Sequence, residues 1–317
     1  MQLPNLKYLI GGALLLSVVC SPAETLQRSS VPANSKWVLH LDVDALRKSK
    51  IGEGIMAGVV QEQAKAVQEK ANLDLPGIIR GTHSITIYGA DYESGSEGKG
   101  ILLWKGNPEI EQIANAFLIQ QAEATKEGEG NITQIQAKPY PIYSIDDDMH
   151  AAVIAGKGLI LGRSTNQIKA AVKVLNDGGG SLAGTTAFTE YPKLSGGFFL
   201  MAYAESFSAG ANMPPQAQVL KLADGGRIAL GEENQNLKFQ LILRARSEEV
   251  TQQIQQVIQG LLALTTLGLG DEPALQQIVR ASKVKVDGRR VEFELVVPLD
   301  EAVRQIEKKQ QKQMDSK

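Results

Sequence analysis

Two stretches of this chain run through the same order of elements, so the fold must accommodate both. Ser84 to Ala124 reads strand, turn, strand, helix: SITIYG alternates apolar and polar residues, DYESGSEGKG is turn chemistry, GILLW is a second apolar run, and Asn107-Pro108 opens a helix. Arg227-Ile228-Ala229-Leu230 is followed in the same way by the turn GEENQN, by LKFQLILRA, and by a helix opened at Ser247-Glu248-Glu249 that reaches Leu264. Period-two alternation marks half-buried strands, and a 3.6-residue period marks a helix with one apolar face. The expected inward residues are Ile110, Ile113, Ala114, Phe117 and Leu118 in the first helix, and Ile254, Val257, Ile258 and Leu261 in the second. Strands joined by tight turns, with few helices, predict an α+β fold of two similar halves, mainly antiparallel sheets with helices packed on one face.

The remaining segments fill out each half. Trp37 to Val43 alternates as a strand, Asp44 is the expected cap of a short helix, and Ile55 to Ala71 reads as a long helix stopped at Pro76-Gly77. Ile132 to Gln136 and Pro141 to Ile145 are strands. Ala151 to Leu161 is a hairpin about Gly156-Lys157-Gly158, and Ser164 or Thr165 caps a helix over 166–175. Asn176-Asp177-Gly178-Gly179-Gly180 is the clearest break. Phe198 to Tyr203 repeats the Trp37 strand, and Lys283 to Val297 forms a hairpin about Asp287-Gly288. Pro298-Leu299 begins a last helix. The expected division is a signal peptide (1–23), a linker (24–34), a first repeat (35–177), a second linker (178–196), a second repeat (197–308) and a flexible tail (309–317).

The N-terminus points to export. Lys7 and the α-amino group precede a twelve-residue apolar run, Tyr8 to Val19, and Ser21-Pro22-Ala23 places small residues where a signal peptidase cuts. The run is short for a membrane span. Cys20 is the one cysteine of the chain. Cleavage after Ala23 removes it and leaves no thiol or disulfide. Lipidation of Cys20 is the minor alternative, since Val19 stands where a small residue is usual. A formal net charge of −2 gives no global field toward nucleic acid or an anionic membrane.

No short motif announces catalysis. The three histidines, His40, His83 and His150, form no HExxH. Asp146-Asp147-Asp148-Met149-His150 offers hard oxygen ligands suited to calcium or manganese, but adjacent residues of a strand alternate faces and chelate poorly, so a solvated turn is the expectation. Gly156 to Ser164 faintly echoes a phosphate loop, yet its apolar Leu-Ile-Leu centre predicts a strand. Asp42 and Asp44 share one strand face at best; acid–base work by such a pair needs a cleft that raises one pKa, and Asp44 as a helix cap is the expectation. No cofactor and no metal are expected.

The strand KWVLHLDVDAL, directly after a leader and a short linker, resembles the opening of bacterial exported proteins of unknown function with duplicated α+β units. The resemblance implies layout and compartment and transfers no site residue. The functional expectation is a non-catalytic exported binding or scaffold protein of the cell envelope. An envelope hydrolase with a carboxylate-based site is the alternative. The halves differ most at Ser206 to Gln216, so Phe207 and Met213 are the candidate binding surface, facing an envelope protein or ligand. N-terminal sequencing of the protein from its native host is expected to read from near Glu24 in a non-cytoplasmic fraction. A start at Met1 in the cytosol contradicts this.

Overall fold

The structure, a computed structural model, describes residues 26–55, 74–92, 100–128, 131–145, 149–191, 194, 197–205, 220–268 and 273–314. The leader, most of the Ile55–Ala71 segment, Asp146 to Asp148, and the Phe207 and Met213 surface lie outside the described residues.

Twelve strands form one antiparallel sheet among the described residues: β1 (Trp37–Asp42), β2 (Thr82–Gly89), β3 (Ile101–Gly106), β4 (Ile132–Ile135), β5 (Ile142–Ile145), β6 (Met149–Ile154), β7 (Gly158–Gly162), β8 (Gly197–Ala204), β9 (Ala223–Glu233), β10 (Asn236–Ala245), β11 (Lys283–Asp287) and β12 (Arg290–Pro298). The described helices are α1 (Val43–Arg47), α2 (Lys50–Ile55), α3 (Leu75–Gly81), α4 (Pro108–Lys126), α5 (Thr165–Asp177), α6 (Glu248–Gly268), α7 (Pro273–Arg280) and α8 (Leu299–Met314). The protein is therefore α+β, as the alternation implied.

The strand order is β11-β12-β10-β9-β8-β1-β2-β3-β7-β6-β5-β4. Read outward from the centre, β1-β2-β3-β7-β6 and β8-β9-β10-β12-β11 have the same topology: a strand, a hairpin, then a second hairpin entered from its far strand. The halves are thus similar, and they share one sheet because β1 pairs antiparallel with both β2 and β8. The first half adds β4 and β5 at its edge.

Helices α4 and α6, which follow matching hairpins, cover the same face. Leu118 and Ala122 of α4 pack with Tyr143, Ile145 and Ala151, while Ile254 and Ile258 of α6 pack with Leu243, Ala245 and Val291. Helices α1, α2 and α8 line that face between them, through Leu46, Ile51, Leu299 and Ala302. The expectation of helices on one face meets an exception at α5. Its Ile168, Ala171, Val172 and Leu175 pack on the opposite face against Leu103, Ile142, Ala152 and Ile160. The cause lies in the strands. MHAAVI and GLILG are apolar on both sides and need cover on both. In β10 that opposite face carries Lys238 and Gln240, and its one buried apolar residue, Ile242, lies in the same cluster as Phe188 and Tyr191 of the connecting segment.

Two helix faces are narrower than their periodicity suggested. Ile113 is 45% exposed and Val257 41% exposed. The buried residues are Ile110, Leu118 and Ala122 in α4 and Thr251, Ile254 and Ile258 in α6, and Ile113 and Val257 fall to one side of these lines. The cap of α1 is also not Asp44. Asp42 is still extended, and its Oδ1 accepts from the Ala45 amide at 2.8 Å. This puts Asp44 in the first helical turn.

Across the second face, near the join of the halves, a connecting strap runs over 180–191. Arg28 holds it: its guanidinium donates to the carbonyls of Ala187 (2.7 Å), Leu182 (2.6 Å) and Thr185 (3.0 Å). The Leu182 amide donates to the Val31 carbonyl at 2.8 Å, and the rings of Phe188 and Tyr191 pack at a tilt against Tyr203. Phe188 adopts a left-handed φ of 61°, unfavourable for a bulky side chain and held by that packing. Replacing Arg28 with Met is expected to lower stability by about 2 kcal/mol in urea unfolding, since hydrogen bonds to a charged group contribute roughly 1.5–3 kcal/mol. An unchanged midpoint contradicts the clamp.

Candidate functional site

The site begins where β1 turns into α1. Asp44, 1% exposed, sits in the first turn of α1, and Arg47 one turn on reaches back to its Oδ1. Arg47 also donates to the carbonyls of Thr82 and of Arg80, the latter at 3.2 Å. Burial pulls the Arg47 guanidinium below its ordinary pKa, and the Asp44 and Asp42 carboxylates oppose that shift. The second Asp44 oxygen, Oδ2, lies 2.9 Å from His83 Nδ1. One carboxylate thus joins a buried guanidinium to an imidazole whose side chain is 31% exposed. Against a carboxylate, Nδ1 is the nitrogen that carries the proton, which leaves Nε2 for exchange or hydrogen bonding.

His83 lines a cavity of about 570 Å³. Its walls come from the turn at 27–30, the ends of β2 and β3, the start of α4, the β6–β7 hairpin and the last turn of α5. The lining opposes Lys105 and Lys157 to Glu111 and Asp177. Three of these are anchored by the fold. Lys105 Nζ donates to Gln27 Oε1 at 2.6 Å, Lys157 Nζ donates to the Leu175 carbonyl at 2.9 Å, and Glu111 Oε2 accepts from the Gly156 amide at 2.7 Å. The Lys157 bond satisfies one of the carbonyls left open at the α5 C-terminus, an end that favours a cation. Gly178 closes that helix at φ 64°. An ammonium has three donors and a carboxylate two oxygens, so Lys157 and Glu111 keep capacity for a ligand.

The sequence-derived candidates are dispersed. His40 is buried, and its Nδ1 lies 2.9 Å from Thr86 Oγ1 across β1 and β2. Among the described residues no group of three or more His, Cys, Asp or Glu is placed to hold a metal ion, and His150 stands in β6. Gly158 to Gly162 is strand β7, as its apolar centre predicted, and forms no phosphate loop. Asp42 and Asp44 take separate roles as cap and imidazole partner. The Asp44–His83 contact spans 39 residues and the cavity draws on six segments, so no local spacing announces either.

No family model matches the chain, and no curated protein does. Among solved structures, crystal forms III, IV and I of TP0453 superpose with TM-scores of 0.49, 0.45 and 0.43 at 11%, 12% and 10% identity. These matches cover 89–90% of this chain and 97% of the other, and at such scores they assign no family.

The two partners of the Asp44–His83 pair are expected to respond differently to mutation. Asp44→Ala strips a buried guanidinium of its counter-charge and should cost about 3–5 kcal/mol. His83→Gln, at a part-exposed position, should cost under about 1 kcal/mol. Urea unfolding of both variants measures the contrast, and equal losses contradict the arrangement.

Proposed function

We propose that the protein is an exported, non-catalytic binding protein of the bacterial cell envelope, which takes a small polar ligand carrying both charges in the cavity beside His83. The observation that carries this reading is the opposition of Lys105 and Lys157 to Glu111 and Asp177 around one space of about 570 Å³. Groups held in place by Gln27, the Leu175 carbonyl and the Gly156 amide lose little freedom on binding, which favours affinity. The N-terminal pattern of Lys7, the apolar run and Ser21-Pro22-Ala23 supports the compartment. The matching strand orders support origin of the two halves by duplication.

A second reading has one specific observation in its favour. Asp44 behind the His83 ring is the arrangement that orients a general base, able to take a proton from water attacking an ester or amide. An envelope hydrolase built this way loses roughly 10²–10⁴-fold in rate on His83→Ala.

Calorimetric titration of the protein with glycylglycine, lysine and glutamate tests the binding reading. At least one zwitterion is expected to bind saturably while N-acetylglycinamide does not. Lys105→Gln or Glu111→Gln should weaken that binding about tenfold, the loss of one charge-assisted hydrogen bond. No binding by any of the three, or equal binding by the variants, removes this reading. Accumulation of a cleaved product during a titration with glycylglycine favours the hydrolase.

A further inference from the structure

A second, smaller cavity of about 240 Å³ lies against the other side of the α5 C-terminal turn. It meets the first at Asn176 and Asp177, which line both. Its chemistry is different. Ile142 of β5 and Val172 of α5, both buried, give it an apolar floor, and Tyr140 adds a half-buried ring. Around that floor stand Lys138, from the β4–β5 connection, and Lys169 and Lys173, from α5.

Lys169 and Lys173 are one turn apart on α5 and so share a face, an arrangement in which like charges repel. Lys138 brings a third ammonium from a different segment to the same space. Among the described residues, none of the three makes an ion pair or a side-chain hydrogen bond. The lysines of the larger cavity, by contrast, each hold a bond within the fold. Asp177 is the single carboxylate in the lining, so the smaller cavity carries an excess of positive charge inside a protein of net charge −2.

We propose that this cavity binds a small organic anion, with an apolar body on the Ile142–Val172–Tyr140 floor and its acidic oxygens among Lys138, Lys169 and Lys173. An apolar floor with convergent polar groups at the rim is the usual composition of a small-molecule site. An anion bound there relieves the repulsion between Lys169 and Lys173 and adds counter-charge where Asp177 is the single carboxylate against three lysines. The floor selects for the body of the ligand, and the lysines for its charge. This site adjoins the mixed-charge cavity at Asn176 and Asp177, has its own lysines and floor, and does not depend on the reading given to that cavity.

Calorimetric titration of the full chain with phenyl phosphate, benzoate, inorganic phosphate and benzyl alcohol is the test. Phenyl phosphate or benzoate should bind saturably, at least about tenfold more tightly than inorganic phosphate or benzyl alcohol, and more weakly as salt is added. The double variant Lys169→Gln/Lys173→Gln changes two exposed helix positions, and circular dichroism confirms that it stays folded. It should lose at least about tenfold in that affinity, and Lys138→Gln should weaken it as well. Inorganic phosphate matching phenyl phosphate and benzoate, benzyl alcohol matching them, or a folded double variant binding with wild-type affinity each overturns the proposal. So does the absence of binding by both organic anions.

Discussion

β1 is bonded to a strand on each side, and the architecture depends on that double pairing. With β2 it pairs Trp37 to Gly89 through Asp42 to Ser84, and with β8 it pairs Trp37 to Ala204 through Leu41 to Leu200. Every backbone group along β1 can therefore be satisfied inside the sheet, and the two halves cannot separate without exposing this row. The strand also delivers the chemistry at its end. Asp42 closes β1 and caps α1, and two residues later Asp44 reaches Arg47 and His83. The centre of the sheet and the candidate site are held by one short run of chain.

The two halves share a topology but differ in the polarity of their second face. In the first half both faces are apolar, and α4 and α5 cover one each. In the second half that face carries Lys238 between Glu233 and Glu294, and its buried residues, Met201, Arg227, Ala229 and Ile242, lie toward the connecting segment with Phe188, Tyr191 and Leu194. This difference gives α5 its place. The two cavities flank the last turns of α5 on that face. The candidate sites thus follow from a departure from symmetry between similar halves.

Three buried or part-buried arginines show how the fold handles charge away from water. Arg28 spends its donors on carbonyls of the strap, and Arg47 divides them between Asp44 and two carbonyls. Arg227, fully buried in β9, donates to Gln240 and bonds Tyr203. Burial lowers the pKa of Arg47 and Arg227 alike, and nearby acceptors oppose it. A guanidinium fits this role because its five donors lie in a fixed plane and can serve several acceptors at once.

Much of the local structure was legible in the sequence. Asn107 and Ser164 are the caps, Gly156 to Gly158 is the hairpin, and the alternation in LKFQLILRA marks a strand with one covered face. The caps, the hairpin and the strand itself depend on neighbours within a few residues, where φ/ψ preference and side-chain period decide the outcome, whereas the burial of Ile242 on the other face of that strand does not. The α+β class and the likeness of the halves follow from such signals taken in order. The joining of both halves into one sheet, the placement of α5 opposite α4, and the exposure of Ile113 and Val257 did not follow from them. Each depends on which surfaces meet, and a period of 3.6 gives a helix an apolar side without saying how wide its contact is. The Asp44–His83 contact and the two cavities lie furthest from local reading. They gather residues from segments far apart in the chain, and only the pairing of β1 with β2 and the packing of α5 bring those segments together.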